Sequence, residues 1–184
     1  MKDITPLSTL SLAILGLIAR HPTSGYDIRK IFTNTPMGHF SNSPGAIYPA
    51  LKRLKKNEWI KNTTPKKKSH RPKEVFSLTD KGWKVLRARL RLPVTRHDII
   101  WNSEELILRF SFMELTVGRK ETVHFLKEYH RESDAYVREL RKVNKEMKEF
   151  MDTSGKLALE LGIEQYKTNA NWAKKSIKEF NTKG

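Results

Sequence analysis

The chain has 184 residues, no cysteine and a formal net charge of +16, from 36 Lys+Arg set against 20 Asp+Glu. Without cysteine there is no disulfide framework, thiolate zinc site, iron–sulfur cluster or thiol nucleophile, and a chain of this length buries enough surface to fold without such staples. The basic balance points to a polyanionic partner, nucleic acid first and an acidic membrane surface second.

The surplus is unevenly spread. Residues 1–92 carry 19 Lys+Arg and 5 Asp+Glu, whereas residues 93–184 carry 17 and 15. A basic half joined to a near-neutral half predicts one module that binds a polyanion and one with another task.

The run Leu7 to Ala19 (LSTLSLAILGLIA) has the length and apolarity of a signal-peptide core. Lys2 is offset by Asp3, however, the run contains Ser8, Thr9 and Ser11, and no small-x-small cleavage site follows. It is too short to span a bilayer. It therefore reads as a buried helix from about Ser8 to Ala19, apolar on all sides, and the protein is expected in the cytoplasm without a membrane partner. His21-Pro22 ends the helix, because a residue before proline is pushed out of the α region.

A second helix starts at Thr23-Ser24, which can cap it, and runs to about Asn34 with Ile28, Ile31 and Phe32 on its apolar face. Thr35 to Asn42 reads as a loop. The third helix lies between Ser43 and Asn57, with Ile47, Leu51 and Leu54 buried. Its opposite stripe holds Gly45, Pro49, Lys52 and Lys56, flanked by Tyr48 and Arg53. Such a basic face, with small residues near its N-terminal end, lets a helix enter a groove and reach phosphates and base edges. Pro49 would break a helix begun at Pro44, so either the helix kinks there or it starts near Ala46.

Trp59 to Thr64 and Glu74 to Leu78 read as two strands. Between them, Pro65 to Lys73 (PKKKSHRPK) carries Lys66, Lys67, Lys68, His70, Arg71 and Lys73. A charge run is usually a solvated loop; at a hairpin tip beside a basic helix it also suits contact with DNA phosphates. Thr79 caps a fourth helix, Asp80 to about Leu92, with Trp83, Leu86 and Leu90 inside. Three helices followed by a basic β-hairpin describe a winged helix-turn-helix.

The stretches ILGLIARHPTSGYDI, PGAIYPALKRLKKNEWI and EVFSLTDKG, in that order, resemble the DNA-binding domain of the PadR-like transcriptional regulators. The run LALELGIEQYKTNANWAKKSIKEF, residues 157–180, is similar to the helical domain of the longer PadR-like subfamily, which includes phenolic-acid repressors and a virulence-gene activator. The resemblance implies a recognition helix carrying Ser43, Tyr48 and Lys52, an exposed Tyr26 near a phosphate, and a wing at Lys66–Lys73. Pro49 also occurs in the family's motif. The chain departs from that motif at Glu58, where the family usually has a glycine in the left-handed conformation. That leaves Asn57 to take the left-handed turn one residue earlier.

Residues 93–102 read as a linker and 103–184 as a helical dimerisation domain. Asn102 or Ser103 caps a helix ended by Gly118, with Leu106, Phe110 and Met113 as its stripe. A long helix follows from about Arg119 to Met151, whose positions Leu126, Tyr129, Ser133, Tyr136, Leu140, Val143, Met147 and Phe150 alternate spacings of three and four. The last helix repeats the beat at Leu159, Ile163, Tyr166, Ala170, Ala173, Ile177 and Phe180. These coiled-coil-like seams, with Trp172 beside the second, are expected to serve a homodimer interface; the other reading is an intramolecular core. The predicted fold is thus mostly α with a small β-hairpin.

No nucleophile elbow, P-loop or dinucleotide fingerprint appears, so no enzymatic activity and no cofactor are expected. The six histidines show no zinc-ligand spacing. Trp101, Trp172, Tyr129, Tyr136 and Tyr166 read as core and interface or as a site for a small aromatic effector. The leading functional reading is a sequence-specific regulator that binds double-stranded DNA as a homodimer, more plausibly a repressor. The alternatives are a non-specific nucleoid-type or RNA-binding protein and a winged-helix protein-interaction adaptor.

Overall fold

Helix α1 (Thr9–Arg20) is the buried centre of the N-terminal half. Leu12, Ala13, Ile14 and Leu15 are fully enclosed and Leu17 and Ile18 nearly so, as expected for a helix apolar all round. The Ser8 hydroxyl caps it by accepting from the Ser11 N–H. The computed structural model describes residues 7–35, 37–38, 44–63, 74–147 and 149–182. The chain divides into two compact units, Met1–Arg91 and Leu92–Gly184.

In the first unit α1 packs against α3 (Ile47–Lys56), α4 (Asp80–Leu90) and strand β3 (Val75–Leu78). Strand β1 (Thr23–Ser24) leads into α2 (Gly25–Asn34), and β2 (Ile60–Thr63) completes an antiparallel sheet of order β1-β3-β2. The register runs from Thr23 opposite Phe76 to Ser24 opposite Val75 in β1/β3, and from Ile60 opposite Leu78 to Thr63 opposite Val75 in β2/β3. The β1 strand adds to the expected hairpin. Its two residues are too short for a period-two pattern, yet Ser24 both pairs in the sheet and caps α2 by accepting from the Asp27 N–H. The entry of α2 is thereby pinned to β3.

The end of α3 departs from expectation. Asn57 stays right-handed (φ −78°) and Glu58 takes the left-handed turn (φ 60°). The Glu58 N–H donates to the Lys55 carbonyl at 3.0 Å and the Trp59 N–H to the Leu54 carbonyl at 3.0 Å, the bond pair of a Schellman cap. Tertiary partners decide the position: the Glu58 carbonyl accepts from the Thr79 hydroxyl at 2.6 Å, and Lys81 pairs with its carboxylate at 3.1 Å. Thr79 also caps α4 by accepting from the Gly82 N–H at 3.0 Å. Gly82 is required there, because a Cβ would strike the Trp59 carbonyl.

Among the described residues the regular elements of the second unit are all helices. The segment expected to be a linker instead carries α5 (Arg96–Trp101), started by a reciprocal capping box between Thr95 and Asp98. Such a box satisfies two backbone N–H groups at once and stabilises even a short helix. Helix α6 (Ser103–Val117) ends at Gly118 (φ 88°). Helices α7 (Arg119–Met147) and α8 (Thr153–Thr182) form a long hairpin. The His130 Nδ1 lies 2.9 Å from the Ala170 carbonyl and the Tyr136 and Tyr166 rings meet edge-on at 4.7 Å, which sets the antiparallel register.

The left-handed Glu58 is a local cost that glycine would remove. A non-glycine residue in this region loses about 1–2 kcal/mol, and glycine's extra unfolded-state freedom offsets part of the gain. Glu58→Gly is expected to stabilise the protein by about 0.5–1 kcal/mol, read as a rise in melting temperature. A lowered melting temperature would refute the cap assignment.

Candidate nucleic-acid interface

Helix α3 divides its surface sharply. Ile47, Ala50, Leu51 and Leu54 are buried, while Tyr48, Lys52, Arg53 and Lys56 face outward. A 3-10 turn at Pro44–Ala46 precedes the helix. Pro49 is therefore the third residue of α3, in the first turn, where its missing N–H leaves no helical bond unmade. No kink is needed, and the later start holds.

Tyr26, on the first turn of α2, is 56% exposed and Tyr48 is 51% exposed. Both line an open groove of about 400 Å³ with Ser24, Gly25, Leu51, Lys52, Lys55, Glu74 and Phe76. The structure thus brings together three residues nominated from the sequence, Tyr26, Tyr48 and Lys52. Gly45 and Arg53 are exposed on the preceding turn and on α3, outside this lining. Ser43, Lys66, Lys67, Lys68, His70, Arg71 and Lys73 lie outside the described residues.

Sequence reasoning misses the other six lining residues as members of the site, and three of them, Gly25, Lys55 and Glu74, shape it. Gly25 lies under Tyr48: a Cβ there would meet the Leu51 Cδ1 at 3.0 Å and the Tyr48 Cε1 at 3.1 Å. Lys55 lies seven residues after Tyr48 and three after Lys52, a spacing that places it on their face. Glu74 accepts from Lys55 Nζ at 2.9 Å and from Asn62 Nδ2 at 2.6 Å. The hydrogen bond from Lys55, followed by that from Asn62, holds the Glu74 carboxyl below its ordinary value. The groove combines three aromatic rings, Tyr26, Tyr48 and Phe76, with two lysines and this one carboxylate, a surface for phosphates and base edges.

The helical unit distributes the remaining nominated residues along a gradient. Leu126, Tyr129 and Ile163 are buried within the chain, so this part of the two seams is intrachain core. Tyr136, Leu140, Tyr166, Trp172, Ile177 and Phe180 are half-buried. Val143, Met147 and Phe150 are exposed, the last at 82%, together with Leu157 and Leu161 on α8. By the helix register these five gather at the turn end of the hairpin. The aromatics considered for an effector site do not converge. Trp172 packs against Tyr129 at 5.6 Å and Phe110 at 5.1 Å, Tyr136 pairs with Tyr166, and Trp101 is 74% exposed.

Among the described residues no group of three or more His, Cys, Asp or Glu is placed to hold a metal, and no helix is long and apolar enough to cross a membrane. Comparison with known proteins finds the transcriptional regulator PadR-like family over residues 14–88, which contains the whole groove. Residues 14–88 are a PadR-like transcriptional regulator domain. Members of this family bind DNA. Residues 104–181 match the virulence activator alpha C-terminal family. The negative transcriptional regulator PadR of Bacillus subtilis (strain 168) is 28% identical over 137 residues, covering 73% of this chain and 72% of that protein. Among solved structures, a PadR-like regulator from Bacillus cereus is 24% identical with a TM-score of 0.41, covering 94% of this chain and 98% of that one. Bacillus subtilis PadR in complex with operator DNA is 26% identical with a TM-score of 0.40, covering 95% and 99%.

The contact beneath Tyr48 gives a test of the groove's construction. Gly25→Ala is expected to push the Tyr48 ring away from α2, shifting the NMR resonances of the Tyr48 ring and the Leu51 methyls while the overall fold persists. Unchanged resonances at both residues would show that the ring does not rest on Gly25.

Proposed function

We propose that this PadR-like regulator is a homodimeric repressor that reads an inverted-repeat operator. The observation that carries the reading is the groove of Tyr26, Tyr48, Lys52 and Lys55 on the exposed side of α3, in the half of the chain that holds 19 of the 36 Lys+Arg but only 5 of the 20 Asp+Glu. Helix α3 enters the major groove. The lysine-rich segment between β2 and β3 lies along phosphates as a wing and adds affinity without sequence preference. The likeness to a negative regulator supports repression as the sign of the effect.

A second copy supplies the second reading head. The exposed Val143, Met147, Phe150, Leu157 and Leu161 form an apolar end on the α7/α8 hairpin, and grouped apolar exposure of this kind marks association surfaces. An inverted-repeat operator presents its two half-sites about 34 Å apart in successive major grooves, so two α3 helices, one from each copy, are needed to read it. Of the aromatics offered for an effector, Tyr129 and Trp172 pack against each other and Trp101 stands exposed.

Gel-shift titrations on duplexes enriched from a random pool test the reading head. Tyr48→Ala and Lys52→Ala are each expected to cost about 1–3 kcal/mol of binding and to relax sequence preference. Lys67→Ala and Arg71→Ala should instead weaken binding to all duplexes and reduce the salt slope by about 1. Full affinity in all four variants would sink the assignment of helix and wing. For the dimer, Met147→Glu with Phe150→Glu should turn a dimer into a folded monomer in sedimentation equilibrium. A wild-type monomer at all concentrations would overturn the pairing.

A further inference from the structure

Phosphate binding alone gives no reason for a carboxylate in the groove beside α3. Glu74 stands there at the residue before β3, in a lining whose other charged groups are Lys52 and Lys55. Its Oε1 accepts from both Lys55 Nζ and Asn62 Nδ2, so a single oxygen joins the last turn of α3 to β2. The lysine and glutamate side chains are 51% and 53% exposed. An ion pair as open as this adds little to stability. It does control charge: Lys55 shares the face of Tyr48 and Lys52, and unpaired it would be a further cation presented to the DNA backbone.

We propose that Glu74 is a specificity-determining residue of the reading head, which holds Lys55 in an ion pair and so limits binding to DNA of arbitrary sequence. The proposal rests on α3 being the reading helix. Non-specific binding comes almost wholly from cations that neutralise phosphates, and a protein on unselective DNA samples many registers. In registers that bring a phosphate to the end of α3, it meets a carboxylate and a lysine already engaged. Like charges brought together disfavour those registers. On the operator, base contacts fix one register, and that register is the one in which no phosphate approaches Glu74. The acidic group therefore penalises wrong placements more than the right one, which raises the fraction of protein found on the operator among competing sites.

The experiment compares wild type, Glu74→Gln and the double variant Lys55→Gln/Glu74→Gln, each checked for folding by circular dichroism. Affinity is measured against salt for a random-sequence duplex and for a duplex enriched from a random pool by the wild-type protein. Glu74→Gln is expected to tighten binding to the random duplex several-fold at low salt and to steepen its salt slope by about 0.9, the increment for one further phosphate contact. Binding to the enriched duplex rises less, so discrimination falls. Adding Lys55→Gln removes the gain, because the freed lysine is its source. An unchanged slope in Glu74→Gln, or a gain that survives Lys55→Gln, overturns the proposal. So does a loss of binding confined to the enriched duplex, which would make Glu74 a direct reader of base edges. Lys52→Ala separates the two levels of the argument. No effect of Lys52→Ala on either duplex means that α3 is not the reading helix, whereas a Lys52 effect without a Glu74 effect leaves α3 in place and removes only this proposal.

Discussion

The burial of α1 on every side is the constraint from which the reading head follows. A helix without a polar face cannot lie on a surface; it has to be enclosed, and α3, α4 and β3 enclose it. Each fully buried Leu or Ile of α1 contributes about 2 kcal/mol of transfer free energy. That demand orients α3, whose Ile47, Leu51 and Leu54 turn inward, leaving Tyr48, Lys52 and Lys55 on the outside. It also orients β3, whose buried Phe76 and Leu78 sit on the core side, so that Glu74 emerges beside the last turn of α3. The groove is thus the outer side of a packing solution made for α1.

The features legible in the amino-acid order were those decided over short distances. Ser24 and Thr79 cap the helices they are expected to cap, because a cap is set by residues three apart. The Thr95 and Asp98 box is equally local, but six helical residues are too few for a periodic apolar stripe to mark them as a helix. The left-handed Glu58 could not be read locally. Asparagine is the better intrinsic choice, and Glu58 takes the turn because a hydroxyl 21 residues away holds its carbonyl. The partners of Lys55 were hidden for the same reason, since Glu74 is 19 residues distant. Heptad periodicity in α7 and α8 showed that a face is covered without showing by what. The structure covers Leu126, Tyr129 and Ile163 from within the chain.

Carboxylates are sparse in the basic half, and the described ones have local tasks. Asp27 accepts from the Ser24 hydroxyl at the start of α2, Glu58 pairs with Lys81 beside the Schellman cap, Asp80 opens α4, and Glu74 holds the last turn of α3 to β2. Three of the four therefore lie at helix ends, and the fourth ties a helix end to the sheet. The described carboxylates of this unit thus sit at element ends, while Lys52, Arg53, Lys55 and Lys56 lie on the exposed side of α3.

The burial gradient of the α7/α8 hairpin has a dynamic consequence. Its fully covered positions, Thr122 to Val137 on α7 and Ile163 to Ala173 on α8, lie away from the turn, while Val143, Met147 and Phe150 near the turn have little to hold them. Local opening free energy tracks buried apolar contact. Backbone amides around His130 and Ala170 should then exchange with solvent only on large-scale unfolding, and those around Val143 and Leu157 through frequent fraying. The hairpin is in effect a rigid stem with a loosely zipped tip, and whatever covers the tip also completes its folding.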